Sequence, residues 1–127
     1  MANRPRARTR SDPHAELPLS AVVLHILLAL AEGERHGYAI AQEIEAATRG
    51  EIRTGPGTLY GSIQRMLTAE LIEESPHRRR AADDDGRRRY YRMTAFGKRV
   101  LELELERLAD VVAAARSKRL LRDPEPA

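Results

Sequence analysis

Near the end of the chain five apolar residues, Leu101, Leu105, Leu108, Val112 and Ala115, follow alternating spacings of four and three. That is the heptad seam of a long α-helix. Thr94 stands at its start as a good N-cap, and the pattern predicts a helix over 94–121. A chain of 127 residues has room for one domain, and a domain that small does not cover so long a helix. The seam therefore needs a partner, and the simplest is the same helix of a second copy. These five residues are the expected dimer interface.

What precedes the seam is also helical in pattern. Leu19, Val22, Val23, Ile26, Leu27 and Leu30 make one apolar face, which predicts a first helix over Leu19–Ala31 with Pro18 before it and Gly33 after. Ile40, Ala41 and Ile44 predict a second helix over Gly37–Thr48, closed by Gly50. Gly55 and Pro56 open a third, expected to reach Glu70, with Leu59, Ile63, Met66 and Leu67 on its inner side. Two short strands follow, Leu71–Glu74 and Arg88–Met93, around a polar tip from Ser75 to Arg87. Aromatic residues are only 4% of the chain while 42% is hydrophobic, so the core is Leu, Ile, Val and Ala, which suits packed helices. The expected fold is mainly α with a small β-hairpin: a winged helix-turn-helix over 17–93, then a C-terminal dimerisation helix. Residues 1–16, rich in Arg and Pro, read as a disordered basic arm, and 122–127 as a disordered tail. The arm is either a solubilising tail or an extension that touches DNA.

Several function classes drop out. There is no cysteine, so disulfides, thiolate catalysis and Cys-ligated zinc are excluded. The four histidines, His14, His25, His36 and His77, lack metal-ligand spacing. No nucleophile–base pair and no glycine-rich phosphate loop is visible. The expectation is a protein that is not an enzyme and needs no metal or cofactor. No apolar run nears the roughly 20 residues that span a bilayer, and the basic N-terminus is not followed by an apolar stretch. A cytoplasmic location is expected.

The third helix has a second face, Thr58, Gly61, Ser62 and Arg65, that is small, polar and ends in a cation. Such a face is either an ordinary solvated helix surface or one suited to close approach to a polar surface, where arginine is the commonest base-specific contact, to guanine. Tyr60, at the edge of the core side, either packs or turns its hydroxyl to a phosphate. Tyr38 has the same two roles open at the start of the second helix, where free backbone N–H groups favour phosphate. From His77 to Arg92 the hairpin carries seven arginines against three aspartates. Arg78, Arg79, Arg80, Arg87, Arg88 and Arg89 lie toward the strand bases and suit backbone phosphates. Asp83, Asp84 and Asp85 at the tip would repel phosphate, so the tip points away from DNA or pairs with the arginines. Three carboxylates in a turn rarely make a defined metal site. Glu102, Glu104, Glu106 and Asp110 put acid on the outer faces of the last helix, which sets it on the dimer side.

The succession ILLAL, HGYAI, GPGTLYGSIQRML, LIEES and RRRYYRMTAFGKRVL resembles the PadR family of bacterial regulators, over about residues 17 to 115. The combination of GTLY on the third helix with YYR-x-T-x-x-G leading into the last helix carries the resemblance. The chain is similar to the short subtype with one C-terminal helix. The resemblance implies a homodimeric, usually repressing, transcription factor. It implies a palindromic double-stranded DNA operator, released when a small molecule or other signal binds. It also implies that the third helix enters the major groove while the wings touch flanking backbone. Two departures stand out. Gly61 occupies the place after the tyrosine where the family often has proline. The chain has no tryptophan, so an indole sandwich for a flat drug at the dimer centre is not supported. An effector pocket is instead expected between the last and first helices, with Leu and Val lining and Phe96 or a tyrosine nearby. The alternative use of the same fold is a protein–protein module whose basic surface meets an acidic partner.

Overall fold

The computed structural model describes residues 12–76 and 89–122. A 3-10 turn, Pro13–Glu16, leads into α1 (Ala21–Ala29), β1 (Arg35–His36), α2 (Gly37–Ala47), α3 (Pro56–Thr68), β2 (Ile72–Glu74), β3 (Tyr90–Met93) and α4 (Ala95–Ser117).

Side-chain caps fix most helix starts. Ser20 Oγ accepts the Val23 N–H at 3.2 Å and opens α1. His36 Nδ1 accepts the Ala39 N–H at 3.2 Å and opens α2. Among the described helices only α3 lacks such a bond: Gly55 is its N-cap and Pro56 its first residue, a position where the missing N–H costs nothing. The ends of α2, α3 and α4 share one device. The chain turns left-handed at Arg49 and Gly50, at Glu70 and at Arg119. The next amides reach back, Gly50 N–H to Glu45 O at 2.8 Å, Leu71 N–H to Met66 O at 2.9 Å and Leu120 N–H to Ala115 O at 2.9 Å. These are Schellman closures, which satisfy carbonyls that the helix leaves open. The last one ends α4 at Ser117, short of the expected Leu121.

The sheet has three antiparallel strands in the order β1-β3-β2. The hairpin β2–β3 was expected, with Ile72 opposite Met93 and Glu74 opposite Tyr91. Strand β1 was not: Arg35 and His36 pair with Tyr91 and Tyr90. Two residues carry no period that a sequence pattern could reveal. In β3 Tyr91 points to the core and Arg92 to solvent, the alternation a half-buried strand requires.

One core joins all the helices. Ile26 and Leu27 of α1, Ile40 and Ile44 of α2, Leu59, Ile63 and Met66 of α3, Ile72 of β2 and Val100 of α4 are buried together. The T-x-x-G step from β3 into α4 makes the join close. Thr94 Oγ1 accepts the Gly97 N–H at 2.9 Å and donates to the Glu70 and Leu71 carbonyls at 2.7 and 3.1 Å. A Cβ on Gly97 would stand 2.0 Å from the Leu71 carbonyl oxygen.

The N-terminal boundary differs from expectation. Residues 1–16 were expected to be disordered, yet Pro13–Glu16 form a capped turn that packs against α4. From there the chain runs to Leu19, whose N–H donates to Glu104 Oε2 at 3.1 Å. Residues 1–11 and 123–127 lie outside the described residues. No helix among the described residues is long and apolar enough to cross a membrane.

Candidate nucleic-acid interface

Helix α3 sits on α1, α2 and β2, and this three-sided support decides which residues remain outside. Leu59, Ser62, Ile63 and Met66 are buried, and Gly57, Thr58, Tyr60, Gln64, Arg65 and Thr68 are exposed. Ser62 therefore does not belong to the outward face where sequence reasoning put it. It is 2% exposed, too deep to touch a ligand. Its side chain is small enough to sit beside Met66, and Arg65 Nη2 donates to its hydroxyl at 3.2 Å. That bond removes the cost of an unpaired buried hydroxyl. The outward face is correspondingly rotated toward Gln64 and Thr68. Sequence reasoning passed over both, although exposure at i, i+4 and i+7 from Gly57 and Gly61 marks them.

Thr58 and Arg65 are exposed as expected. Gly61 is half-buried, with Arg65 Nη1 3.6 Å from where its Cβ would be, so the guanidinium lies back along the helix beside the glycine. Tyr60 is 47% exposed, and its hydroxyl end lies against Gly37 at the start of α2. A Cβ on Gly37 would stand 2.2 Å from that oxygen, so Gly37 makes room for the ring. Tyr60 thus packs and keeps an exposed edge at once. Tyr38, next along, is 62% exposed and accepts from Gln42 Nε2 at 3.4 Å. The Tyr60–Gly37 contact bridges the α2 N-terminus and the outward side of α3.

The sheet supports the same side. Tyr91 is buried, and burial first, then the nearby Tyr60 and Glu74, push its phenol above the ordinary value while Arg89 pulls the other way. Tyr90 stands edge-on to His36, with ring centroids 5.3 Å apart. At the strand bases Arg89 lies 4.0 Å from Glu74 and Arg92 2.7 Å from Glu73. Both pairs are solvent-exposed, so each holds its arginine only weakly. Arg78, Arg79, Arg80, Arg87 and Arg88 lie outside the described residues, as do Asp83, Asp84 and Asp85.

The expected dimer seam divides. Leu101 is buried in the core of its own protomer, because the first three turns of α4 pack on the domain. It has no surface to offer a second copy. Leu105 is 40% exposed, and Leu108, Val112 and Ala115 are half-buried. Val111, absent from the heptad, is 54% exposed and widens the apolar arc. Glu104 was placed on the acidic outer face but is 1% exposed. Arg107 donates to it through Nε at 2.7 Å and Nη2 at 3.1 Å. The Arg107 bond holds its carboxyl below the usual range, against the opposing effect of burial and with help from the Leu19 N–H.

An open recess of about 170 Å³ lies between the N-terminal segment and α3, lined by Pro18, Leu19, Val23, Met66, Ala69 and Leu71 with Glu16, Ser20 and Arg65. It is not the place expected for an effector, since no α4 residue lines it.

Residues 26–103 match the model of the transcriptional regulator PadR-like family. The chain belongs to this family. A relative from Lysinibacillus sphaericus, an uncharacterised protein called X, is 34% identical over 93 residues, covering 73% of this chain and 80% of its own. Among solved structures, a PadR family transcription regulator from Clostridium difficile superposes with a TM-score of 0.62 at 25% identity, over 77% of this chain and 97% of that one. The complex structure of hsRosR-SG, RosR being from H. salinarum, gives a TM-score of 0.60 at 29% identity, over 82% and 87%. This PadR-like regulator shares the winged-helix fold with a C-terminal helix, and the T-x-x-G step explains one of its motifs: Thr94 caps α4 and Gly97 seats it.

Proposed function

We propose that this PadR-like chain is a dimeric repressor that binds a palindromic DNA operator and releases it when a small effector binds. The observation that carries the reading is the outward face of α3. Thr58, Gln64, Arg65 and Thr68 are exposed there, and Gly57 and Gly61 add no side chains of their own between them. A helix so cleared can descend into a major groove, which admits one helix and displays a distinct donor and acceptor pattern for each base pair. Tyr38, Tyr60 and Arg89 flank it and suit phosphate contacts, which position a protein without choosing a sequence. Assembly through the distal part of α4 sets two such helices about one helical turn of DNA apart. The pocket for the effector lies where the second copy meets α1 and α4.

The test is fluorescence anisotropy with duplex DNA from upstream of the protein's own coding region, at several salt concentrations. A sequence-specific complex is expected, weakened by salt in proportion to the phosphates contacted. Binding that is equally weak on every duplex would overturn the reading and favour a protein-binding winged helix.

A further inference from the structure

The glycine strip on α3 has a polar side chain on each side, and only one of them is charged. At about 100° per residue, Gly57, Gly61 and Thr68 lie near the middle of the exposed arc. Gln64 and Arg65 project from its two flanks. Arg65 is held, because its Nη2 donates to the buried Ser62 hydroxyl. Gln64 is exposed, and among the described residues its amide makes no hydrogen bond to another group. It is thus a planar group with one acceptor and two donors, presented beside Gly57 and Gly61, which add no side chains of their own.

We propose that Gln64 is a base-reading residue of this regulator and that it selects an adenine, next to the base pair read by Arg65. The inference rests on the DNA-binding reading above and names which bases that face chooses. Adenine offers N7 as acceptor and N6 as donor side by side in the major groove, and a glutamine amide matches both at once. Phosphate offers only acceptors and gains nothing from the amide oxygen. A solvated surface glutamine would need no glycine strip beside it, whereas a reading glutamine needs the helix axis close to the groove floor. Gly57 and Gly61 supply that approach. Ser62 acts as a positioning residue: it cannot reach DNA, but it fixes where the Arg65 fork points.

The test is selection of bound sequences from a pool of random duplexes, with the wild-type chain and with the Gln64→Ala, Gln64→Glu and Ser62→Ala variants. Each variant is first checked for an unchanged circular-dichroism spectrum and melting curve. The wild type is expected to enrich a motif with one adenine that becomes degenerate in Gln64→Ala while the other positions persist. Anisotropy on single-site variants should show that replacing this adenine costs the wild type roughly 5- to 150-fold in affinity, the range of one bidentate base contact, and costs Gln64→Ala almost nothing. Gln64→Glu should turn the preference toward cytosine, whose N4 amine donates to a carboxylate. Ser62→Ala should blur the neighbouring guanine position and leave the adenine. A Gln64→Ala motif identical to the wild type at every position would overturn the proposal while leaving DNA binding intact. A wild type that enriches no motif at all would instead overturn the functional reading beneath it.

Discussion

The two halves of α4 are one unbroken helix, yet only the first is seated in the protomer's own core. From Ala95 to Glu104 the helix is part of the domain: Gly97 lies on the Leu71 carbonyl, Val100 and Leu101 fill the core, and Glu104 receives the chain at Leu19. From Leu105 to Ser117 its apolar arc is half covered, and Leu105 and Val111 stay open to solvent. The lesson is that a heptad marks apolar demand along a helix but not who meets it. A buried knob in one's own core and an interface residue have the same spacing. Substitutions that act on one half and spare the other separate the two roles.

The largest effect is expected at Gly97. Alanine in place of glycine within a helix ordinarily gains up to about 1 kcal/mol. At Gly97 the added carbon meets a backbone oxygen that cannot swing aside. Overpacking typically costs about 1–3 kcal/mol and occasionally more, and a clash with fixed backbone belongs at the upper end, which outweighs the propensity gain. Gly97→Ala should lower the thermal midpoint sharply and separate α4 from the sheet. Gly61→Ala makes the control, because its new carbon meets only the Arg65 side chain at an ordinary contact distance. Its melting point should hold or rise. If both variants melt alike, close approach is not what fastens the proximal half.

A smaller effect, with a pH signature, is expected at Glu104. The Arg107 bond keeps its carboxyl below the ordinary value in the folded protein. A depressed folded value means that the stabilisation is fully present above the unfolded value, about 4.3. It is then lost as pH falls through the folded value. Glu104→Gln should lower stability by on the order of 1.5 kcal/mol at neutral pH, the worth of a charge-assisted bond. It should also flatten the decline of stability between neutrality and acid. Thermal melts across that range measure both. Arg107 is half exposed and stays solvated when its partner loses charge, so the larger penalty of an orphaned buried ion does not arise.

How much of this was legible in the sequence follows from what each residue needed. The helices, the hairpin and the start of α3 at Pro56 could be read, because periodicity and proline chemistry act locally. The family could be read from GTLY and T-x-x-G together. Strand β1 could not, since its two residues form a strand only because β3 lies beside them. Ser62 was misplaced because a serine looks the same on either side of a helix. Its burial depends on Arg65 supplying a donor and on α3 being held from three sides. Glu104 was misread for a similar reason. A carboxylate in a run of acids looks solvated until Leu19, far away in sequence, is found to donate to it. Leu101 followed the heptad faithfully, and only the depth at which α4 is seated reveals that its place is already taken.

The smallest effect on the single protomer, and the sharpest on assembly, is expected from the distal half. Leu105 and Val111 are exposed in one chain, so replacing both with glutamate removes little packing and should change protomer stability by less than about 1 kcal/mol. In a dimer the same residues would bury apolar area at about 25 cal/mol per Å², and carboxylates placed there would have to be desolvated without a partner. The double variant should therefore run as a folded monomer in light scattering, with a normal circular-dichroism spectrum. It should also bind a half-site but not a full palindrome with avidity. A double variant that stays dimeric would move the interface off the distal arc of α4. The exposed Leu28 on α1 would be the next surface to mutate.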